Sequence, residues 1–525
     1  MPSLPYAGCT PLTDLPEWTA FQQAGLAASF SAEHLHLLAG GGLELDLSAQ
    51  RHSPALAEAG RALLEARQFS VARAALLEGE AVNTTENRAA WHSILRAACP
   101  HEDVAQERKR MEAFVDAADA ADQWSDIVHI GIGGSDWGVR LVANACSRGS
   151  ARRNLHFVAN LDGHALDEIL AGLDPARTLV IVTSKSFSTN ETLTNLRRTL
   201  AWLQAEGVSQ PLAQIVAVTA RPEAAAAEGI APERIFRLWD WVGGRFSIWS
   251  SVALPVALSI GLEAVNDLRE GAAEMDIHFA QAPVDSNLPV QLALSGVLNR
   301  SVLGFCSLSV AAYDARLQFL APYLQQLDME SLGKSVDLGG NPMKVPTGPA
   351  VWGMPGTDGQ HTFFQWLHQG TDGAAVDFVI CQEADHPWRD DHAMLLANCL
   401  AQRQTLLLGT SEQAEYERLC AQGEPSDKAE WLARHRSHPG GRPSTLIVLP
   451  RLTPHTLGAL LALYEHKVFV QGVIWGINPF DQWGVEAGKT LASGIQRELS
   501  TGEVASEHDQ STHYWITRLA SSTRD

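Results

Sequence analysis

Between residues 126 and 220 the chain alternates four short runs rich in β-branched residues, "IVHIGIGG", "LHFVAN", "TLVIVTS" and "QIVAVTA", with longer helical patterns. Near-continuous apolar runs of this length suit strands buried on both faces, and the helical stretches between them supply the crossovers that parallel strands require. The pattern predicts an α/β fold in which parallel sheets are flanked by helices. A weaker second set, "VLGFCSLSV", "AVDFVICQ" and "STLIVLP", implies a second such region. Runs such as "ALAEAGRALLEARQ" make the first hundred residues read as amphipathic helices, and the last seventy read as helical too. The expected division is a helical segment over 1–100, one α/β domain over 101–270, a second over 271–455 and a helical arm over 456–525.

A formal charge of −21 over 525 residues argues against a general nucleic-acid or anionic-membrane binder. It also means that a phosphate ligand needs a local cluster of positive groups. Cys9, Cys99, Cys146, Cys306, Cys381, Cys399 and Cys420 show neither a C-x-x-C pair nor metal spacing, which fits reduced cytosolic thiols. The N-terminus "MPSLPYAGCTPL" has no basic segment followed by an apolar one, so no secretory signal is expected. Two apolar stretches read as buried helices rather than membrane spans: residues 251–262 are too few and include Pro255, and residues 457–477 are interrupted by Glu465, His466 and Lys467.

Two Gly-Lys-hydroxyl triplets, at Gly333 and Gly488, suggest nucleotide-binding loops but fail on spacing. The opening glycine of G-x-x-x-x-G-K-[ST] would fall on Asp328 and on Trp483. "HIGIGGSDWG" is neither a dinucleotide fingerprint, because Asp136 takes the third glycine position, nor a nucleophile elbow, because Trp137 replaces the last glycine. What remains is a tight turn at a strand's end that exposes backbone N–H groups, Gly134 and the Ser135 hydroxyl. "TSKSFSTNETLTNL" gathers Ser184, Ser186, Ser188, Thr189 and Thr192 around Lys185 where a strand opens into a helix. Hydroxyls, helix N-terminal N–H groups and one lysine make a cup for a phosphate monoester. A capping box from Ser188 to Glu191 is the structural alternative for part of it.

In "WDWVGGRFSIWS" Arg245 follows a Gly-Gly turn, where it can hold an oxyanion. Glu330 stands at the apparent end of a helix in "YLQQLDMESLGKS" and is a candidate general base. His361 follows a glycine turn and is a candidate proton carrier. Gln482 and Lys489, seven apart, would share one helical face. No H-E-x-x-H, EF-hand loop or clustered His/Cys ligands occur in the sequence, so neither a metal nor another cofactor is expected.

In their order, "GIGGSDWG", "SKSFSTNETLTN", "WVGGRFSIWS", "YLQQLDMESLGKS", "WGMPGTDGQHTF" and "LYEHKVFVQGVIWGINPFDQWGVEAGK" resemble the phosphoglucose isomerase family. The resemblance spans about Gly131 to Lys489. It implies two sugar-isomerase domains and a C-terminal arm, a cytoplasmic homodimer, and metal-free interconversion of an aldose phosphate and a ketose phosphate. Carried over by motif, Ser184, Lys185, Ser186 and Thr189 hold the phosphate, with Gly134 and Ser135 beside the sugar. Glu330 moves a proton between C1 and C2 through an enediol, which Arg245 stabilises. His361, supplied by the neighbouring subunit, and Lys489 assist ring opening. Glu191 orients His361, and Gln326 and Gln482 line the sugar.

The sequence departs from the family where Ser186, Ser188 and Asn190 replace two threonines and a glutamine. It departs again at Leu332, Met354 and Asp358, in place of asparagine, glutamate and asparagine. A non-catalytic sugar-phosphate sensor would keep the hydroxyl cup without needing Glu330, His361, Arg245 and Lys489 together. The presence of all four favours an enzyme.

Overall fold

In a computed structural model that describes residues 10–522 except 32, 148 and 150, the strands in chain order are β1 (Leu37–Gly40), β2 (Leu43–Asp46), β3 (Asp126–Ile130), β4 (Asn154–Val158), β5 (Thr178–Thr183), β6 (Ile215–Thr219), β7 (Ile235–Arg237), β8 (Ser307–Ala312), β9 (Ala350–Gly353), β10 (Ala374–Cys381) and β11 (Ser444–Leu449). The four runs read as strands from Asp126 onward are β3 to β6. They form a parallel sheet of order β4-β3-β5-β6-β7, with Ile130 beside Val182 in the β3/β5 register. Every residue of β5 and β6 is buried, as expected for strands covered on both faces. Because β4 lies on one side of β3 and β5 on the other, the chain reverses direction of growth between β3 and β5. The carboxyl ends of those two strands form the crevice where open α/β sheets bind ligands.

The second sheet has order β1-β2-β11-β10-β8-β9, and its β11, β10, β8 and β9 run parallel. It holds the three weaker strand runs, and two features that the sequence reading did not contain. One is the four-residue β9. The other is a hairpin, β1–β2, within the stretch read as wholly helical, which pairs antiparallel with β11. Gly41 and Gly42 both take positive φ (56° and 75°) to close that hairpin, the conformation a tight two-residue turn demands.

Where helices were expected in the first hundred residues, Pro54–Ala66 shows the amphipathic pattern. Leu56, Ala59, Gly60, Leu63 and Leu64 are buried on one face, and Ser53 caps the first turn through Leu56 N–H.

Residues 1–479 and residues 480–525 form two compact units. Within the first unit, helix Pro454–Trp475 is buried from Leu457 to Trp475 and packs against Leu262–Gln281 and Leu288–Val297. It is long and apolar enough to cross a membrane, yet it carries buried, paired charges, with Glu465 bonded to Arg96 and Lys467 to Asp328. That is a core helix. Asp276, which bonds Arg96, is held down to about 2 despite its burial because the guanidinium lies beside it. Residues 480–525 contain helices Glu486–Thr501 and Gln510–Ser522, which pack on each other. The described cysteines are free thiols, and Cys9 lies outside the described residues.

Candidate active site

The glycine turn leaves the carboxyl end of β3 as a short 3-10 turn, Gly133–Ser135, before helix Trp137–Cys146. Gly133 takes φ +59°. A methyl group added to Gly134 would lie 2.1 Å from the carbonyl carbon of Gly244, so only glycine lets the two backbones meet. Ser247 Oγ donates to the Gly134 carbonyl at 3.1 Å and fixes the contact. Ser135, half-buried, stands at the start of the helix.

The hydroxyl-rich loop leaves β5, the neighbour of β3. Ser184 is buried and its Oγ lies 3.3 Å from Thr189 Oγ1, while Ser186 and Ser188 are exposed and bonded to each other at 2.8 Å. Between them Phe187 takes φ +48°, a costly conformation for a non-glycine residue, with its ring buried under the sheet. Burying that ring turns the flanking serines outward. The capping box from Ser188 to Glu191, the structural alternative for this loop, does not form. Thr189 is the N-cap of helix Asn190–Ala205 and no side chain caps it, because Ser188 is engaged with Ser186 instead. The first N–H groups of a 16-residue helix are thus not closed by a side-chain cap, beside the hydroxyls.

Lys185 Nζ donates to the carbonyls of Asp240 and Val242, both at 2.8 Å, leaving one of its three protons for a ligand. Burial, and then the neighbouring Arg88, push its pKa down to about 8 against the opposing pull of Asp240 and Glu86.

Segment 240–245 links this cup to the carboxylate. Its carbonyls hold Lys185, and three residues past Val242 Arg245 reaches Glu330. The Arg245 side chain is 2% exposed, its Nη1 lies 3.3 Å from Glu330 Oε2, and Glu330 itself is 22% exposed. Arg245 Nε donates to Ser331 Oγ and Nη2 to the Pro479 carbonyl, each at 2.6 Å, so the guanidinium is fixed independently of the carboxylate.

Glu330 ends a π-helical turn, Gln325–Glu330, rather than an ordinary helix end. Gln326 Nε2 donates to Glu330 Oε2 at 3.0 Å, and the same amide nitrogen lies 3.1 Å from where a Cβ on Gly133 would stand. Glycine turn, Gln326, Glu330 and Arg245 therefore share one site. On the opposite side of the turn Asp328 is fully buried and accepts from Lys467 Nζ at 2.8 Å, anchoring the turn to the core helix. The departure at Leu332 costs nothing here, since the side chain is buried in the core.

His361 is exposed at the end of the short helix Gly356–Gln360, its N–H donating to the Asp358 carbonyl at 3.2 Å, and no hydrogen bond within the chain joins its ring to Glu330 or to half-buried Glu191. Since only the backbone of Asp358 is used, the change at that position leaves the contact intact. In the second unit Lys489 is exposed and lies 3.1 Å from Glu486. The shared helical face expected for Gln482 and Lys489 does not exist. Gln482 (φ −152°, ψ 48°) precedes a 3-10 turn, and the helix begins only at Glu486, so the seven-residue spacing carries no periodicity.

The sequence reading missed Arg88, which reaches Lys185 from the N-terminal segment, together with Ser331 and the Asp328–Lys467 pair. It also found no clustered metal ligands, whereas folding gathers His34, His36 and His52.

A family model described as Phosphoglucose isomerase matches residues 46–516. The chain is 54% identical to glucose-6-phosphate isomerase of Bordetella avium (strain 197N), over 96% of this chain and 98% of that relative. It is 39% identical to glucose-6-phosphate isomerase of Saccharophagus degradans, over 96% of each. The crystal structure of a glucose-6-phosphate isomerase from Chlamydia trachomatis matches with a TM-score of 0.86 at 30% identity, covering 98% of this chain and 100% of that one. With the family model matched over residues 46–516 and its relatives matched nearly from end to end, the chain belongs to the phosphoglucose isomerase family.

Proposed function

We propose that the chain is an aldose-ketose isomerase that interconverts glucose 6-phosphate and fructose 6-phosphate in glycolysis and gluconeogenesis. The observation that carries the reading is the Glu330–Arg245 pair, set against the glycine turn in a member of this family. Ser184, Lys185, Ser186 and Thr189, with the uncapped helix N-terminus, take the phosphate. Gly134, Ser135, Gln326 and Gln482 line the sugar.

His361 and Lys489 pass the proton that opens the ring, with Glu191 orienting His361. Glu330 then removes the C2 proton of the open-chain aldose and returns it to C1, while the hydroxyl proton on O2 passes to O1 to complete the ketose. Between the two steps the enediolate carries negative charge, and Arg245 is already fixed beside Glu330 by Ser331 and Pro479. Its charge acts without reorganisation.

The working unit is a homodimer in the cytoplasm, in which His361 comes from the neighbouring subunit. Two features support that reading: the exposure of the His361 ring, and the exposed apolar side chains Leu491, Tyr514, Trp515 and Leu519 on residues 480–525. The two sheets serve as cores of sugar-isomerase domains spanning 101–270 and 271–455, with the extension 1–100 and the arm 456–525 around them. The test is a coupled assay in which fructose 6-phosphate is supplied and glucose 6-phosphate is oxidised as it forms. Absence of glucose 6-phosphate formation by folded protein refutes the reading.

A further inference from the structure

Outside this site, the turn of chain entering β1 and the chain leaving β2 bring three imidazoles together. His34 and His36 precede β1, and His52 follows β2, held by a bridge to Ser29. The His34 and His52 rings stack at 4.1 Å, with His36 at 5.2 Å from His52 and 6.0 Å from His34. One ring nitrogen from each lies within 4.8 Å of the others. His34 Nε2 is buried without a hydrogen-bond partner. A buried, unbonded ring nitrogen is costly unless something binds it. His36 and His52 also line a cavity of ≈ 270 Å³, which has room for a further ligand or water.

We propose that His34, His36 and His52 form a binding site for a divalent transition-metal ion of the Zn²⁺ class, with water as the fourth ligand. Three imidazoles and an open position suit that ion, and no carboxylate or thiol is needed. Tetrahedral nitrogens about 2.0–2.1 Å from Zn²⁺ stand roughly 3.3 Å apart. Occupation therefore draws the ring nitrogens together from their present spacing of up to 4.8 Å by rotation of the rings. The bound ion ties the entry of β1 to the exit of β2 and clamps the hairpin that edges the second sheet. It is a stabilising site separate from the isomerase chemistry, and none of its ligands belongs to the proposed catalytic set.

The full-length, untagged protein, stripped with a chelator and dialysed, would be titrated with Zn²⁺ by calorimetry and with Co²⁺ by visible absorption. The expected result is one equivalent bound with the intense spectrum of four-coordinate Co²⁺, and a Tm that rises with free metal. In His52→Gln, and in His34→Gln as a second variant in case the first does not fold, that equivalent and that rise should both be lost. Isomerase activity should be the same in stripped and loaded protein. Binding of the same equivalent by a folded variant, a weak octahedral Co²⁺ spectrum, or no binding by the unaltered protein would each overturn the site.

Discussion

Replacing Glu330 with Gln removes the proposed base while keeping its shape, and the structure says how much else should change. The carboxylate is approached by Gln326 Nε2 and Arg245 Nη1, both at Oε2. An amide oxygen in that place still accepts from both. Arg245 keeps its bonds to Ser331 and Pro479, so the guanidinium is not set loose. The loss of stability should be about 1 kcal/mol, the difference between hydrogen bonds to a charged and to a neutral acceptor, because both donors keep an acceptor and the arginine stays paired. Turnover should fall by about 10² to 10⁴, equivalent to roughly 2.7–5.4 kcal/mol of barrier. Affinity for sugar phosphate should persist, since the proposed phosphate cup belongs to a different loop. The assays are the coupled conversion of fructose 6-phosphate, uptake of deuterium from D₂O at C1 or C2, and unfolding midpoints on the same preparation. Undiminished turnover, or undiminished deuterium uptake, in a folded Glu330→Gln protein would refute the assignment of the base.

With Lys185 lowered to about 8, its charged form prevails below that pH, so kcat/KM for a sugar phosphate should fall as pH rises through about 8. That alkaline limb should vanish in Lys185→Gln, whose KM is raised throughout; a limb that persists there belongs to another group. Gly134→Ala places a methyl 2.1 Å from a backbone carbon that cannot rotate away, so overpacking should cost about 1–3 kcal/mol and lower kcat/KM. An unfolding midpoint and kcat/KM both unchanged would mean the two turns are not in contact. Lys467→Met leaves Asp328 buried without its counter-charge, at about 3–5 kcal/mol by urea unfolding, and Asp328→Asn added to it should recover most of the loss. A double variant no more stable than the single would remove the pair from that role. On the proposed homodimer, exchanging subunits between Glu330→Gln and His361→Ala proteins makes about half the dimers mixed, each with one intact site, so roughly a quarter of wild-type activity should return. Heterodimers without activity would mean both residues serve from one chain.

The parts of this fold legible in the sequence are those where burial is two-sided and local. β5 and β6 are buried at every residue, and a strand of that kind announces itself as an unbroken run of β-branched residues. The hairpin β1–β2 does not. Its outer strand alternates only between exposed and half-buried, inside an Ala/Leu-rich stretch, and its turn is marked by glycines alone. β9 is four residues long, too few to show any period. Helical spacing misled at Gln482 and Lys489 because a periodicity argument assumes the helix it is meant to establish.

For the site the division lies elsewhere. Loops at strand exits concentrate their chemistry within a few residues, so the cup around Lys185 and the arginine after Gly243–Gly244 could be read directly. What makes Arg245 and Glu330 a pair could not. Arg245 is held by Ser331, 86 positions away, and by Pro479, 234 positions away, and the turn bearing Glu330 is anchored by Lys467, 139 positions from Asp328. Lys185 has its pKa lowered by burial and then by Arg88, which comes from a segment that looked like a helical extension. Ser331, Lys467 and Pro479 lie in segments that resemble the family, yet nothing in their own neighbourhood marks them as partners of Arg245 or Asp328, and Arg88 lies in no such segment. The three histidines make the same point in the other direction. His34 and His36 have a spacing with no meaning until the hairpin folds back and delivers His52. Local sequence thus carries which chemistry a loop can offer, and the stacking of the elements decides which of those offers meet.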